Sequence, residues 1–339
     1  TAEEETGMNG ALGLDGTRFI GDRLLNLDSE EEGIFTLGCA GGVRVQSSFT
    51  LRKEPADGDA VTVVLDGLLG GHSGTDIDKG RANANVLLLN ALLEWCHIFS
   101  IRLSSLDGGT VDNGFPNAAK ATVVLPADEM LAFMSAVQAY GDALAKRWRE
   151  TEPHLSLRVT RENGKFLSAS VDDTRAVLSA LSGLPNGVQQ MSPFFENKPE
   201  TSLNMGVVRT ETDCITATFA LRSFRMESLY QLTETVMDLT TKAGGTATKG
   251  DAYPAWEYRD GSDFVKKAVT VYTALHGAAP QLDAVHAGLE CGVFCGKRPM
   301  LECISLGPDI TGAHTPQEKV SLSSLDRVYR YVCTLLAEK

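Results

Sequence analysis

Long uninterrupted apolar runs are missing from this chain of 339 residues. The best stretch, residues 86–95, is broken by Asn90 and Glu94 and falls well short of the roughly 20 residues a membrane-crossing helix needs. No membrane partner is expected. Positive charge is also scarce: 31 Lys and Arg against 44 Asp and Glu give a formal charge of -13 and a pI near 5.0. Phosphate binding needs a clustered basic surface, and none stands out, so a nucleic-acid partner is excluded. A disulfide framework is absent too. The seven cysteines (Cys39, Cys96, Cys214, Cys291, Cys295, Cys303, Cys333) are odd in number and scattered. That fits reduced, buried thiols and a cytoplasmic location.

Core material is ample, with 43% hydrophobic residues in a length comfortable for two domains. Residues 61–67 alternate as a strand, and 67–74 interrupt it with glycine and serine. Residues 76–95 carry apolar side chains at helical spacing (Ile77, Ala82, Val86, Leu89, Leu93), with Thr75 or Asp76 placed to cap. Strands at 99–106 and 119–125 and a helix at 126–149 follow. The texture then recurs: a hairpin of 155–161 and 165–171 over Asn163-Gly164, a helix at 172–181, strands at 205–209 and 214–222, and a helix at 228–242. Two such mixtures in succession suggest an α+β unit with an architectural internal repeat. Beyond residue 260, the pattern predicts a helix at 262–276, a glycine-rich stretch at 286–294, a short strand at 301–306 and an amphipathic helix at 322–339. The expected core face of that last helix is Leu325, Val328, Val332 and Leu335. This segment has too little strand to fold alone. It is expected to complete a domain begun by residues 1–42, which makes the middle an insertion.

The chain opens, without an initiator Met, on Glu3, Glu4 and Glu5 closed by Gly7, and so reads as a piece that starts inside a motif. Adjacent Glu4 and Glu5 on an extended segment point in opposite directions, so one can ligate a metal while the other faces a metal-bound water. A solvated acidic turn is the plain alternative. Asp28 follows the apolar run 24–27 as a carboxylate at a strand's C-terminal end would, where ligands gather in α/β sheets. His314 lies in a loop after the strand at 301–306. His72 is framed by glycines in Gly70-Gly71-His72-Ser73-Gly74, which leave room for a close approach. Arg222 ends a strand and could grip a carboxylate bidentately. Asn204 could donate to a carbonyl or oxyanion. Taken singly, each is equally an ordinary turn or surface residue.

Together these segments resemble a known family. Residues 1–8 (TAEEETGM), 27–33 (LDSEEEG), 38–42 (GCAGG), 70–74 (GGHSG) followed by 80–85 (GRANAN), 286–292 (HAGLECG) and 314–320 (HTPQEKV) are similar to the aminoacyl-histidine (Xaa-His) dipeptidases. These belong to the di-zinc metallopeptidase superfamily that includes carnosinase and carboxypeptidase G. The resemblance runs in order over essentially the whole chain.

It implies an α/β, zinc-exopeptidase-like catalytic domain at residues 1–42 and 258–339, interrupted by an α+β lid and dimerisation domain at 43–257. It implies Glu4 as general base, Glu5, Asp28 and His314 as metal ligands, and His72 as the lid histidine that steadies the substrate carbonyl from the neighbouring subunit of a homodimer. Asn204 and Arg222 would hold the substrate, with Arg222 on its free carboxylate, and the loop around Gly288 and Glu290 would line the pocket. Two Zn2+ ions (Co2+ or Mn2+ also possible) about 3.5 to 4 Å apart would activate a water that cleaves short peptides of the Xaa-His type. Glu3 stands where relatives often have Asp. The family's His-x-Asp segment and metal-bridging aspartate would fall upstream of residue 1, so the catalytic domain is expected to be partial and little active without that N-terminal segment. Alternatives are another exopeptidase or amidohydrolase specificity, or a non-catalytic lid, dimerisation or binding module.

Overall fold

The computed structural model describes residues 1, 8–18, 20–313 and 315–338. Its strands form two main sheets. The larger has nine strands, in the order Thr246–Lys249, Gly41–Thr50, Cys214–Ser223, Pro199–Thr210, Arg102–Gly108, Ala119–Leu125, Asp59–Asp66, Ser156–Glu162, with Gly187–Met191 also paired to Pro199–Thr210. Its ladders are antiparallel. In Gly41–Thr50 the side chains alternate as a pleated strand requires: Val43, Val45, Ser47 and Phe49 point inward, while Arg44 and Gln46 face solvent.

This sheet is two β-α-β-β-α-β units set side by side. One runs Asp59–Asp66, helix Ala84–Trp95, Arg102–Gly108, Ala119–Leu125, helix Met130–Trp148, Ser156–Glu162. The other runs Gly41–Thr50, helix Val171–Ser182, Pro199–Thr210, Cys214–Ser223, helix Met226–Lys242, Thr246–Lys249. The repeat read from the sequence is therefore present, but nested: the first unit is inserted after the opening strand of the second. They join where Val208 pairs with Gly108, reinforced by Leu106 N donating to Thr210 Oγ1 at 2.7 Å and Thr210 N donating to Asp107 Oδ1 at 2.9 Å. The first helices of the two units meet across the same seam, with Ser182 Oγ donating to Asn90 Oδ1 at 2.8 Å.

Two local expectations are corrected. The helix expected from residue 76 begins at Ala84, because Asn83 supplies the cap by accepting from Val86 N at 3.1 Å; residues 73–80 form turns. The expected hairpin over Asn163-Gly164 does not form. Ser156–Glu162 pairs with Asp59–Asp66, and Leu167–Ser168 pairs with Glu54–Pro55.

The smaller sheet has the order Arg23–Asn26, Glu302–Ser305, Ile34–Cys39, Gln281–Val285, with both outer pairs parallel. Helices Asp263–His276 and Leu322–Ala337 pack together over it, around Phe35, Ala268, Ile304, Tyr331 and Leu335. On the last helix Tyr331 is buried, with its hydroxyl on the Ala268 carbonyl at 3.0 Å, whereas Leu325 is 45% exposed; the core face is rotated from the one expected. Among the described residues no helix is long and apolar enough to cross a membrane.

Candidate active site

A cleft of about 1140 Å³ is lined from both sheets. The nine-stranded sheet contributes Gly42, Val43, Arg44 and Ala220 to Arg222. The smaller sheet contributes Asp28 and Glu30, just past the end of Arg23–Asn26, and the loop of Ala287, Gly288 and Leu289 after Gln281–Val285. His72, Asp112, Asn113 and the 250–253 segment close the remaining walls.

Arg222 is 7% exposed and sits opposite Gly42 in the ladder. Its Nη1 donates to Tyr253 Oη at 2.8 Å, its Nη2 lies 3.2 Å from His72 Nε2, and its Nε–H has no partner. No carboxylate pairs with it among the described residues. A buried cation without an anion is unfavourable, so this guanidinium is poised to receive one. The close approach depends on glycine at two places. A Cβ on Gly42 would run into the Tyr253 ring, and a Cβ on Gly74 would meet the His286 carbonyl and stand 2.9 Å from His72 Cε1.

The His72 backbone is held by Asp76, whose Oδ2 accepts from His72 N at 2.8 Å, and by a bridge to Gly114. Its Nδ1 lies 3.2 Å from Thr75 N and 3.3 Å from Thr75 Oγ1. Burial, helped by the Arg222 charge and opposed by Asp76, lowers the His72 pKa, so the ring is neutral at pH 7. Behind it His286 is also buried. Its Nε2 lies 2.8 Å from Ser202 Oγ, its Nδ1 has no partner, and burial followed by the Arg222 and His72 charges brings its pKa down to about 3. Also on the cleft, Arg44 donates to Asp112. Burial pushes Asp112 up, but Arg44 outweighs it and leaves the carboxyl below its usual range.

The structure thus brings together Asp28, His72, Arg222 and Gly288. His72 lines this cleft. Asn204 stands one layer behind the cleft lining. It is fully buried, its Oδ1 accepts from Asn83 Nδ2 at 2.9 Å, and its Nδ2 donates to the carbonyls of Asp112 at 3.2 Å and Gly114 at 2.8 Å. Glu290 is likewise off the lining and accepts from the Thr1 amino group at 2.9 Å. Glu4, Glu5 and His314 lie outside the described residues. Tyr253 and the Asp112-Asn113 corner were not singled out from the sequence. Before Pro254, and in Asp-Asn-Gly, they carry only turn signals.

No family model matches the chain. It is 35% identical to the cytosol non-specific dipeptidase of Escherichia coli (strain K12) over 344 residues, which is 100% of this chain and 70% of that protein. The chain belongs to the aminoacyl-histidine dipeptidase family. The crystal structure of the aminoacylhistidine dipeptidase from Vibrio alginolyticus superposes with a TM-score of 0.92 at 33% identity, over 98% of this chain and 69% of that one. The aminopeptidase PepT from Bacillus cereus shares the fold, with a TM-score of 0.50 at 16% identity over 98% and 61% of the two chains. Family members are metallopeptidases that hydrolyse dipeptides.

Whether this cleft fits a metal turns on its donors. Asp28 and Glu30 put carboxylates on the wall, and carboxylate oxygens are donors that zinc-like ions accept. Among the described residues alone, no group of three or more His, Cys, Asp or Glu could hold one.

Proposed function

We propose that this chain forms the substrate-binding side of a site that cleaves Xaa-His type dipeptides, holding them in the cleft by their free C-terminal carboxylate. The observation that carries this reading is Arg222: buried, without a carboxylate partner among the described residues, and on the same cleft as Asp28. Zinc, or Co2+ or Mn2+ in its place, would be held by Glu5, Asp28 and His314, and when bound would supply Lewis-acid polarisation and lower the pKa of a water toward about 7.

Arg222 takes the incoming carboxylate on its fork, with Tyr253 fixing the plane of the guanidinium. Turning to the carboxylate releases Nε2 of His72. While Nε2 accepts from Arg222 the proton of the neutral ring sits on Nδ1, beside Thr75 Oγ1; once Arg222 turns away the proton moves to Nε2, with Thr75 N–H donating to Nδ1, and hydrogen-bonds the peptide carbonyl as its oxygen gains charge. Glu4 takes a proton from the attacking water and hands it to the leaving amine. Asn204 positions the 112–114 corner that braces His72.

The same reading puts the catalytic domain at 1–42 and 258–339 and a lid at 43–257 through which two chains pair, in a cytoplasmic enzyme like its Escherichia coli relative. Assay of the zinc-loaded enzyme on a panel of Xaa-His dipeptides, other dipeptides and N-acyl amino acids tests it. Xaa-His dipeptides should turn over fastest, and turnover confined to the acylated amino acids would contradict it.

A further inference from the structure

A second cavity, of about 350 Å³, shares no lining residue with the cleft. Pro254, Trp256 and Arg259 are on its wall, and it reaches two thiols, Cys295 on the helix Glu290–Lys297 and Cys303 on the strand Glu302–Ser305. Their sulfurs are 3.4 Å apart. Cys303 is buried, and Cys295 is partly exposed. We propose that Cys295 and Cys303 form a reversible redox site, in which a hydroperoxide entering this cavity converts the dithiol into a disulfide.

The Cys295 thiolate attacks the peroxide, the O–O bond breaks, and the departing oxygen leaves as water (or alcohol) once protonated, giving a sulfenic acid on Cys295. Cys303 then attacks that sulfur, its proton goes to the departing hydroxide, and a second water leaves as the S–S bond forms. The peroxide is reduced by two electrons, and the two thiols supply them. Only the thiolate is nucleophilic, and the surroundings divide the roles. The hydrogen bond from Cys303 lowers the Cys295 pKa against the opposing effect of burial, with a further contribution from Arg259. Cys303 is pushed up, first by Cys291, then by Cys295 and burial. Cys295 is therefore the attacking sulfur and Cys303 the resolving one. Closing the 3.4 Å gap to the roughly 2.05 Å of a disulfide draws in a helix that starts directly after Gly288 and Leu289 of the cleft wall.

The test treats the reduced chain with graded hydrogen peroxide, followed by thiol counting after unfolding and tryptic mapping without reductant. Trypsin cuts after Lys297, which puts Cys303 on a separate peptide from Cys291 and Cys295, and fragmentation of the cross-linked peptides tells which of those two is joined. The expected result is a loss of two thiols from the seven of the reduced chain, a Cys295–Cys303 cross-link reversed by dithiothreitol, and both at peroxide doses that leave the exposed Cys333 intact. Cys303→Ser should remove the cross-link and leave Cys295 trappable by dimedone. Oxidation of Cys333 first, no cross-link, or a cross-link from Cys291 instead of Cys295 would overturn the proposal.

Discussion

The Nη2 nitrogen of Arg222 lies 3.2 Å from Nε2 of His72, which couples the group proposed to bind the substrate carboxylate to the group proposed to meet its carbonyl. Burial lowers the His72 pKa, and the Arg222 charge lowers it further. Arg222→Met should therefore raise the His72 pKa toward the ordinary value of about 6.5. An NMR titration of the His72 Cε1–H signal reads this directly, and an unchanged or lowered pKa would show that the two side chains do not interact in solution.

Asn204 is predicted to act through the scaffold. Asn204→Ala strands one N–H of the Asn83 amide and the carbonyls of Asp112 and Gly114, at a cost of about 1–3 kcal/mol measured by urea unfolding. Activity should fall through a higher KM or lower kcat as the 112–114 corner loosens. Full stability with lost activity would instead make Asn204 a direct substrate contact.

His286 makes the fold acid-sensitive. Its proton is bound in the unfolded chain below about pH 6.5 but excluded from the native state until about pH 3, so between those limits unfolding takes up a proton. Stability should be complete above pH 6.5 and fall by about 1.4 kcal/mol per pH unit below it from this group alone. His286→Gln, which can still hydrogen-bond Ser202, should flatten the profile between pH 6.5 and 4.5. An equally steep profile in the variant would assign the effect elsewhere.

Glu32 acts in a lower window. Arg327 holds its carboxyl below the usual value of about 4.5 through two hydrogen bonds, at 2.7 and 2.6 Å, tying the segment after Asp28 to the last helix. A depressed carboxylate pKa adds stability above the unfolded pKa, and that stability is lost as pH falls through the folded one. Glu32→Gln should therefore lower Tm at pH 7, and by less at pH 3. The same Tm difference at both pH values would show that the pair is not ionic in effect.

Much of the local structure was legible because it is written in short periods. The strand at 119–125 and the helix Asp263–His276 follow directly from alternating and helical spacing. Nesting of the two units was not legible. It depends on Gly41–Thr50 pairing with Cys214–Ser223, far along the chain, and strand periodicity does not name a partner. The turn signal at Asn163-Gly164 was overridden because Ser156–Glu162 gained a longer ladder with Asp59–Asp66. At the site, His72 and Arg222 were visible as residue types with chemical reach. Tyr253 and Asn83 were not: a tyrosine before proline and an asparagine before a helix say nothing of what they hold until the chain folds.

The most direct test compares kcat and KM of zinc-loaded wild type and Arg222→Met on an Xaa-His dipeptide and on its C-terminal amide. For the free acid, loss of the charged clamp should raise KM by about tenfold to a hundredfold, in line with about 1.5–3 kcal/mol for a hydrogen bond to a charged group, while KM for the amide changes little. An Arg222→Met enzyme that keeps wild-type KM for the free acid would contradict the account of how this cleft holds its substrate.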